Sequence, residues 1–392
     1  MTVRRLFAIA AVLAVAACAR APAPVHFFAE GQPQSLADWH VVDVRDGRLV
    51  PNDGVLPYDL ATPLFTDYAH KLRTVWMPKG TSARYAEADF DYPVGTILSK
   101  TFYYPVPETG RGEGDTVLRS SDAGFDPRGL ELAKVRLIET RLLVRRKDGW
   151  LALPYVWNAQ QTEATLKRGG ELVALTLVGA DGSREQADYA VPDQNQCAGC
   201  HGDDMKTRKL HPLGPKARHL NRDFAYADGT ANQLARWTQV GYLTGAPAPA
   251  AAPRNADWLD ASQPLDARAR AYLDINCGHC HNPKGPGNTS GLWLDAATQE
   301  PLRLGRCKLP IAAGKGTGDF SHDIVPGQPD ASILTFRMVS EDPAAMMPEL
   351  GRSVVHDEGV QLIRDWIASM QGTCDLDPKA VADAPSPTAA TM

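Results

Sequence analysis

A five-residue pattern, C-x-x-C-H, occurs twice in this chain of 392 residues and limits its chemistry more than any other feature. Two cysteines three positions apart are separated by just under one helical turn, so their sulfur atoms face the same side. This spacing is the attachment signature of c-type haem, in which both sulfurs form thioethers and the histidine binds the iron. We therefore expect two covalently bound haem c groups. Their attachment residues are Cys197, Cys200 and His201 in the first pentapeptide, and Cys277, Cys280 and His281 in the second.

Two other kinds of site use paired cysteines. Zinc ribbons separate their pairs by roughly 15–20 residues, whereas here the whole stretch 201–276 lies between them. A thioredoxin-like redox pair occurs in a βαβ setting and does not need the histidine that follows each pair here. The repeated pentapeptide therefore favours haem over zinc or thiol chemistry.

A methionine close to the C-terminal end is the predicted sixth iron ligand of the second haem. Met347 stands directly before Pro348, downstream of the second pentapeptide and ahead of an amphipathic pattern. Met346 and Met338 are reserves, and all three could instead be core residues that fill gaps. Methionine–histidine ligation raises the reduction potential and suits electron transfer.

The sixth ligand of the first haem is left open by the sequence. Met205 follows the proximal histidine too closely to reach the opposite face of a porphyrin. His211 is the preferred candidate and His219 the next, although a lone histidine is more often structural. Met77 or His70 could come from the N-terminal region, or the position could be vacant, which would permit peroxide chemistry.

The first residues predict export. Arg4 and Arg5 precede an apolar run over 6–17 that is too short to span a bilayer. The run ends in small residues and Cys18, similar to a lipobox whose cysteine is acylated; plain cleavage nearby is the alternative. We expect a periplasmic lipoprotein anchored to the outer membrane, which contacts the membrane only through Cys18.

The remaining cysteines predict a disulfide, and the net charge bears on the kind of partner. Cys307 and Cys374 are left over, and in an oxidising compartment they most simply form one disulfide, with two buried free thiols as the alternative. The formal net charge is -5 and no Lys/Arg tract occurs, so we expect no nucleic-acid partner. Lys216 and Arg218 could pair with haem propionates, but charged side chains near such a motif are more often simply solvated.

Period-two alternation over 38–190 and the Asp-Gly pairs at 148–149 and 181–182 predict antiparallel hairpins. Helical patterns are expected at 265–276 and 356–370. The fold class expected is α+β multidomain: an N-terminal antiparallel β domain followed by two small α-helical cytochrome c-like haem domains. The expected divisions are a signal peptide with lipobox (1–18), a linker (19–37), the β-rich domain (38–190), the first haem-binding segment (191–245), an Ala/Pro linker (246–257), a cytochrome c-like domain with the second haem (258–375) and a disordered tail (376–392).

Longer stretches of the sequence resemble known proteins beyond the two pentapeptides. They are TPLFTDYAHKLR (62–73), YPVGTILSKTFYYP (92–105), ETRLLV (139–144), LPYVWN (153–158), VPDQNQCAGCH (191–201), LGPKARHLNRDF (213–224), YLDINCGHCHNP (272–283), DIVPGQPDASILTFRM (323–338) and MMPELGR (346–352). These stretches resemble an uncharacterised bacterial family of predicted diheme c-type cytochromes. The resemblance implies two haems, an exported or lipid-anchored product and a redox role. It also suggests a neighbouring parallel β-helix protein as a partner, but it names no substrate.

Three functions are compatible with these features. The preferred one is electron transfer between redox partner proteins by an exported diheme c-type cytochrome. The second is a diheme, peroxidase-like oxidoreductase in which the first haem is open. The third is a module that binds a partner through the β domain and uses the haems to deliver charge.

Overall fold

A computed structural model describes residues 22–109, 115–121, 126, 128–202, 209–311 and 314–374. The expected lipobox with Cys18, Met205 and the tail 376–392 lie outside these described residues. The strands are β1 (Val42–Arg45), β2 (Arg48–Pro51), β3 (Leu56–Tyr58), β4 (His70–Trp76), β5 (Ala83–Arg84), β6 (Ile97–Pro105), β7 (Thr116–Leu118), β8 (Leu130–Glu131), β9 (Val135–Arg146), β10 (Gly149–Trp157), β11 (Ala164–Leu166), β12 (Glu171–Val178), β13 (Arg184–Val191), β14 (Asp223–Tyr226), β15 (Gly229–Asn232) and β16 (Leu243–Thr244).

The main sheet has six strands in the order β11-β10-β9-β6-β4-β3, and every neighbouring pair is antiparallel. Strands β9 and β10 form the hairpin predicted from Asp148-Gly149, with Arg146 opposite Gly149. The second predicted hairpin, β12 with β13, is also confirmed. In β13 buried and exposed side chains alternate, so a one-residue slip would expose its apolar face. Strands β6 and β9 at the centre of the main sheet are instead buried on both faces over most of their length.

Smaller sheets complete the β structure. Strand β12 also pairs in parallel with β7, and β1, β2 and β8 form a separate three-stranded sheet. Strands β14 and β15 form a hairpin after the first pentapeptide. Strand β16 pairs in parallel with β5. The segment that follows the first pentapeptide is therefore hydrogen-bonded to the N-terminal β region.

Six α-helices lie in the described part of the chain. They are α1 (Gln194–His201), α2 (Ala217–Leu220), α3 (Gln233–Gln239), α4 (Leu265–Asn276), α5 (Ile333–Val339) and α6 (Asp357–Ala368). Short 3-10 helices occur at Leu36–Trp39, Pro249–Ala251, Asn288–Ser290, Gly314–Thr317 and Pro329–Ala331. Helices α4 and α6 confirm the two helices predicted from apolar periodicity.

The predicted pair of small α-helical cytochrome c-like domains is wrong. The molecule is β-rich, with 27% strand against 20% helix, and its helices do not assemble into two such domains. The physical reason lies in the first segment, whose apolar side chains Ala217, Leu220, Leu234 and Trp237 pack with sheet residues such as Val75 and Leu98. A chain that buries its apolar surface against an existing sheet does not need a helical core of its own.

The region after Trp258 has its own apolar cluster, in which Leu273 of α4 packs with Ile363 and Ile367 of α6. A disulfide joins Cys307 to Cys374, as predicted, and ties the chain after α6 back to an earlier loop. The stretches expected as linkers also make contacts: Phe27 and Phe28 pack on the main sheet, and the Asn221 side chain donates to the carbonyls of Pro249 and Ala252. Within the described residues no helix has the length and apolar character needed to cross a bilayer.

Candidate functional site

One cavity of about 850 Å³ brings the two pentapeptides together. Its lining includes every residue of the first pentapeptide and all of the second except Gly278. The Cys200 thiol interacts with Cys280 and with His279, so the two pentapeptides lie side by side. The sequence predicted both sites but not that they share one chamber.

The first pentapeptide forms the second half of α1. Asp193 caps this helix by accepting hydrogen bonds from the backbone N–H groups of Asn195 and Gln196, and the Gln196 side chain accepts from the Asp193 backbone in return. This capping box satisfies donors that would otherwise be unpaired at the helix N-terminus. It therefore fixes the point at which the helix starts, three residues before Cys197.

The second pentapeptide follows the end of α4 in a succession of turns. Cys277 is the C-cap residue, and its backbone N–H donates to Leu273. Gly278 lies where a side chain would not fit: a Cβ atom there would stand 2.7 Å from the Asp274 carbonyl oxygen and 2.8 Å from the Asp295 Cα. Both neighbours are backbone atoms, so the site cannot relax by rotating a side chain.

Gly278→Ala is expected to lower the free energy of unfolding by about 1–3 kcal/mol, because the added methyl group overpacks rigid backbone. It should also reduce the yield of protein with a haem at the second pentapeptide. The matched control is Gly169→Ala, since no atom lies within 4 Å of a Cβ added there. Thermal unfolding of both variants, together with intact mass, checks this. Equal melting temperatures for the two variants would contradict it.

The histidine of each pentapeptide has an imidazole orientation that suits metal binding. The Nδ1 of His201 lies 2.8 Å from the His211 carbonyl oxygen. A carbonyl only accepts, so this Nδ1 carries the proton and Nε2 keeps its lone pair. The Nδ1 of His281 lies 3.3 Å from Ser290 Oγ, whose own proton is donated to the Gly287 carbonyl. A second hydrogen bond of this kind fixes the tautomer of metal-ligating histidines.

The protonation of these two histidines is consistent with that role. Burial lowers the pKa of His201 to about 3 and the pKa of His281 to about 4. Both rings are therefore neutral at pH 7, and the contacts with the His211 carbonyl and with Ser290 are made through Nδ1. A neutral imidazole nitrogen with a free lone pair is the form that binds a metal.

The cysteines and histidines of the two pentapeptides are distributed around the cavity wall. Among the residues that the structure describes, no three His, Cys, Asp or Glu side chains converge on a point where one ion could sit. Four-coordinate zinc needs such convergence. The four cysteines and the two histidines instead line one cavity of about 850 Å³. A haem attached at each pentapeptide would need such a space next to these side chains. We conclude that the residues present fit one haem at each pentapeptide.

The predicted ligand Met347 lines the same cavity, as does Met338. Arginine side chains hold its loop: Arg352 donates to the carbonyls of Met347, Arg337 and Ser340, and Arg337 donates to the carbonyl of Ala345. The Met347 N–H donates in turn to the Arg337 carbonyl. Because the loop is fixed by several hydrogen bonds, the Met347 thioether is held at the cavity wall.

The other predicted ligands lie elsewhere in the described structure. The His211 ring is partly exposed, lies 3.6 Å from Asp89 and does not line the cavity. His219 is buried against Asp274, and Met77 is part of the apolar core. Neither His70 nor Met346 is part of the cavity wall.

Sequence reasoning missed His356, which lines the cavity just before α6. Its ring stacks on Phe65 at a centroid distance of 4.1 Å, and its Nδ1 lies 2.9 Å from the Tyr272 hydroxyl. No local pattern distinguishes this histidine in the sequence, because the residues that surround it come from distant parts of the chain.

A buried carboxylate connects the two pentapeptide segments. Asp274 of α4 accepts two hydrogen bonds of 2.8 Å from Arg218 and lies 3.2 Å from His219 Nε2, and both partners are on α2. Asn255 and the Ala296 N–H donate to it as well. Asp274 is three residues before Cys277, so this cluster fixes α4 relative to the first segment.

No family model, no curated protein and no solved structure matches the chain.

Proposed function

We propose that the protein is an exported diheme c-type cytochrome that transfers electrons between redox partner proteins. The observation that carries this proposal is one cavity lined by four cysteines and by two histidines that make hydrogen-bond contacts through Nδ1, the arrangement that leaves Nε2 for iron. The resemblance in the sequence to predicted diheme cytochromes agrees with it. The proposal does not require the two small helical domains, because the sheet and the C-terminal segment form the walls instead.

When bound, haem supplies an iron that alternates between the ferric and ferrous states. The chain's own residues provide attachment and tuning. Cys197, Cys200, Cys277 and Cys280 hold the cofactor covalently, so it is not lost outside the cytoplasm. Met347 is positioned as a thioether ligand by the loop that Arg352 and Arg337 fix. The contact between Cys200 and Cys280 supports transfer between the two attachment sites.

Optical and electron paramagnetic resonance spectra of the purified, matured protein test this function. We expect two low-spin haems whose spectra do not change on addition of cyanide, carbon monoxide or peroxide. Reversible reduction without catalytic turnover would complete the evidence for a carrier. A high-spin signal that responds to these ligands would contradict a purely electron-transferring role.

A second function, a peroxidase-like oxidoreductase with an open first haem, is favoured by one observation. Apart from His201, the histidine and methionine side chains in the cavity wall are His279, His281, His356, Met338 and Met347. All of them come from 258–375, and none comes from the described residues 209–245. The spectra described above distinguish the two functions, because an open iron site is high-spin and binds peroxide.

Met347→Ala is expected to lower one of the two reduction potentials by on the order of 0.1 V, within the ~0.8 V range that axial ligands span. Loss of the thioether removes a ligand that favours ferrous iron. Potentiometric titration measures the shift, and Met346→Ala is the matched control because Met346 is outside the cavity wall. If Met347→Ala left both potentials unchanged, Met347 would not be a ligand.

Location and partners are part of the same proposal. The residues over 1–18 suggest export to the periplasm and outer-membrane anchoring through a lipid on Cys18. The partners proposed are redox proteins, with a neighbouring parallel β-helix protein as one candidate from the sequence resemblance.

A further inference from the structure

Three basic side chains form a row across the centre of the main sheet. Arg73 on β4 is opposite Lys100 on β6, and Lys100 is opposite Arg141 on β9. All three line the cavity that contains the pentapeptides. Like charges directly opposite each other on neighbouring strands destabilise a sheet. A row of three therefore needs compensating negative charge.

Two of the three have a carboxylate of their own. Arg73 donates to Asp59 at 2.7 Å. Arg141 donates from Nε and Nη2 to the two oxygens of Glu139, a residue with no exposed surface. The Nη1 edge of Arg141 has no hydrogen-bond partner among the residues that the structure describes. This edge remains available to a second anion.

Lys100 has no such carboxylate. Within the described ranges its ammonium group makes neither a hydrogen bond nor an ion pair. Burial, together with Arg141 and Arg73, lowers its pKa to about 8. Lys100 is half-buried and its side chain lines the cavity. A charged group in such a position is normally paired, because removing it from water without a partner costs free energy. The unpaired amine, on the residue directly opposite Arg141, thus indicates an anion site.

The position of this row relative to the first pentapeptide indicates which anion it binds. Lys100 and Arg141 are near enough to Cys197 and His201 to act electrostatically on both. Lys216 and Arg218, which the sequence suggested as propionate partners, already pair with carboxylates. Lys216 lies 3.7 Å from Asp89, and Arg218 pairs with Asp274. The other basic side chains of the cavity wall donate hydrogen bonds within the protein: Lys71, Arg337 and Arg352 to backbone carbonyls, and Arg73 and Arg141 to carboxylates. Among the described basic residues of this wall, Lys100 is the one whose ammonium group has no such partner.

We propose that Lys100 and Arg141 bind a propionate carboxylate of the haem attached at the first pentapeptide. This inference rests on the proposed function, since it requires that haem. An arginine edge and a lysine ammonium are the donors that carboxylates pair with most strongly in water-poor surroundings. Lys100 is accordingly a positioning residue: it orients the cofactor and adds positive charge next to it.

The test compares three variants of the matured full chain. Lys100→Met removes the charge, Lys100→Arg retains it, and Lys134→Met is the control, because the Lys134 side chain is 73% exposed and pairs with Glu131. Intact mass first establishes that each variant carries two haems. Resonance Raman spectra then report the propionate bending modes, and potentiometry reports both midpoint potentials.

We expect Lys100→Met to shift a propionate mode and to lower one midpoint potential, because the reduced haem loses a stabilising positive charge. Lys100→Arg and Lys134→Met should match the unmodified protein in both readouts. Unchanged propionate modes in Lys100→Met, with or without a change of potential, would overturn the inference. Absence of haem from the unmodified protein would instead overturn the proposed function.

A measurement on the unmodified protein covers the case in which Lys100→Met does not mature. The potentials are measured in chloride and in acetate at one ionic strength. A site filled by a propionate gives the same potentials in both. An acetate-dependent shift that Lys100→Arg alters would show that the row binds a free carboxylate and would overturn the assignment to the haem.

Discussion

Replacement of Asp274 by alanine is expected to lower the free energy of unfolding by about 3–5 kcal/mol, the usual effect of removing one partner from a buried ion pair. Asp274 is 5% exposed, and its loss leaves the Arg218 guanidinium buried without a counter-charge. The His219 Nε2 and the Asn255 amide lose their acceptor at the same time. Chemical denaturation of the matured variant measures the change.

The control for this prediction is an exposed ion pair of the same residue types. Asp228 pairs with Arg236, but its side chain is 62% exposed, so Asp228→Ala should cost at most about 1 kcal/mol. We also expect Asp274→Ala to reduce haem attachment at both pentapeptides, since the cluster fixes α4 relative to the first segment. Equal losses of stability in the two variants would show that Asp274 has no special structural role.

Asp274 also predicts a pH dependence. Burial raises the pKa of this carboxyl, but hydrogen bonds from His219 and Arg218 outweigh burial and hold it well below its usual value. A depressed pKa in the folded state contributes stability above the unfolded pKa of about 3.9. That stability is lost as the pH falls below about 4. Unfolding free energies measured from pH 7 to pH 3 should therefore decline less in Asp274→Ala than in the unmodified protein.

The double variant Cys307→Ser/Cys374→Ser is expected to lose about 4 kcal/mol of unfolding free energy. The disulfide closes a loop with a sequence separation of 67 residues, and the chain-entropy model gives a loss of this size for such a loop. The affected part is the region from Cys307 through α6, which contains Met347. If this region becomes less ordered, Met347 should also bind the haem iron less strongly.

A reductant provides the control for the disulfide. Adding it should lower the stability of the unmodified protein to that of the double variant, while leaving the double variant unchanged. Alkylation of both free thiols establishes that the disulfide has been reduced. If the unmodified protein were then as stable with reductant as without it, the disulfide would not contribute to stability.

The secondary structure with strong local signals was predictable from the sequence. The β9–β10 and β12–β13 hairpins have alternating apolar residues and an Asp-Gly turn, and α4 and α6 have apolar residues at helical spacing. The Cys307–Cys374 disulfide was predictable because these two cysteines remained after the pentapeptides and the lipobox were assigned. In each case the information lies within a short stretch or in a simple count.

The organisation of the second half was not predictable in the same way. Residues such as Leu234 and Trp237 show an apolar pattern, but the pattern does not say whether they pack on other helices or on a sheet formed earlier in the chain. The row Arg73–Lys100–Arg141 depends on the pairing of three strands separated by long connections. His356 enters the cavity for the same reason, through contacts between distant residues.

The most direct test of the central claim is the intact mass, under denaturing conditions, of protein produced in a host that has the cytochrome c attachment machinery. We expect the mass of the mature polypeptide plus two haem groups, and a Cys197→Ser/Cys200→Ser variant that retains one haem. A polypeptide without added haem, in a host where a control cytochrome is matured normally, would contradict it.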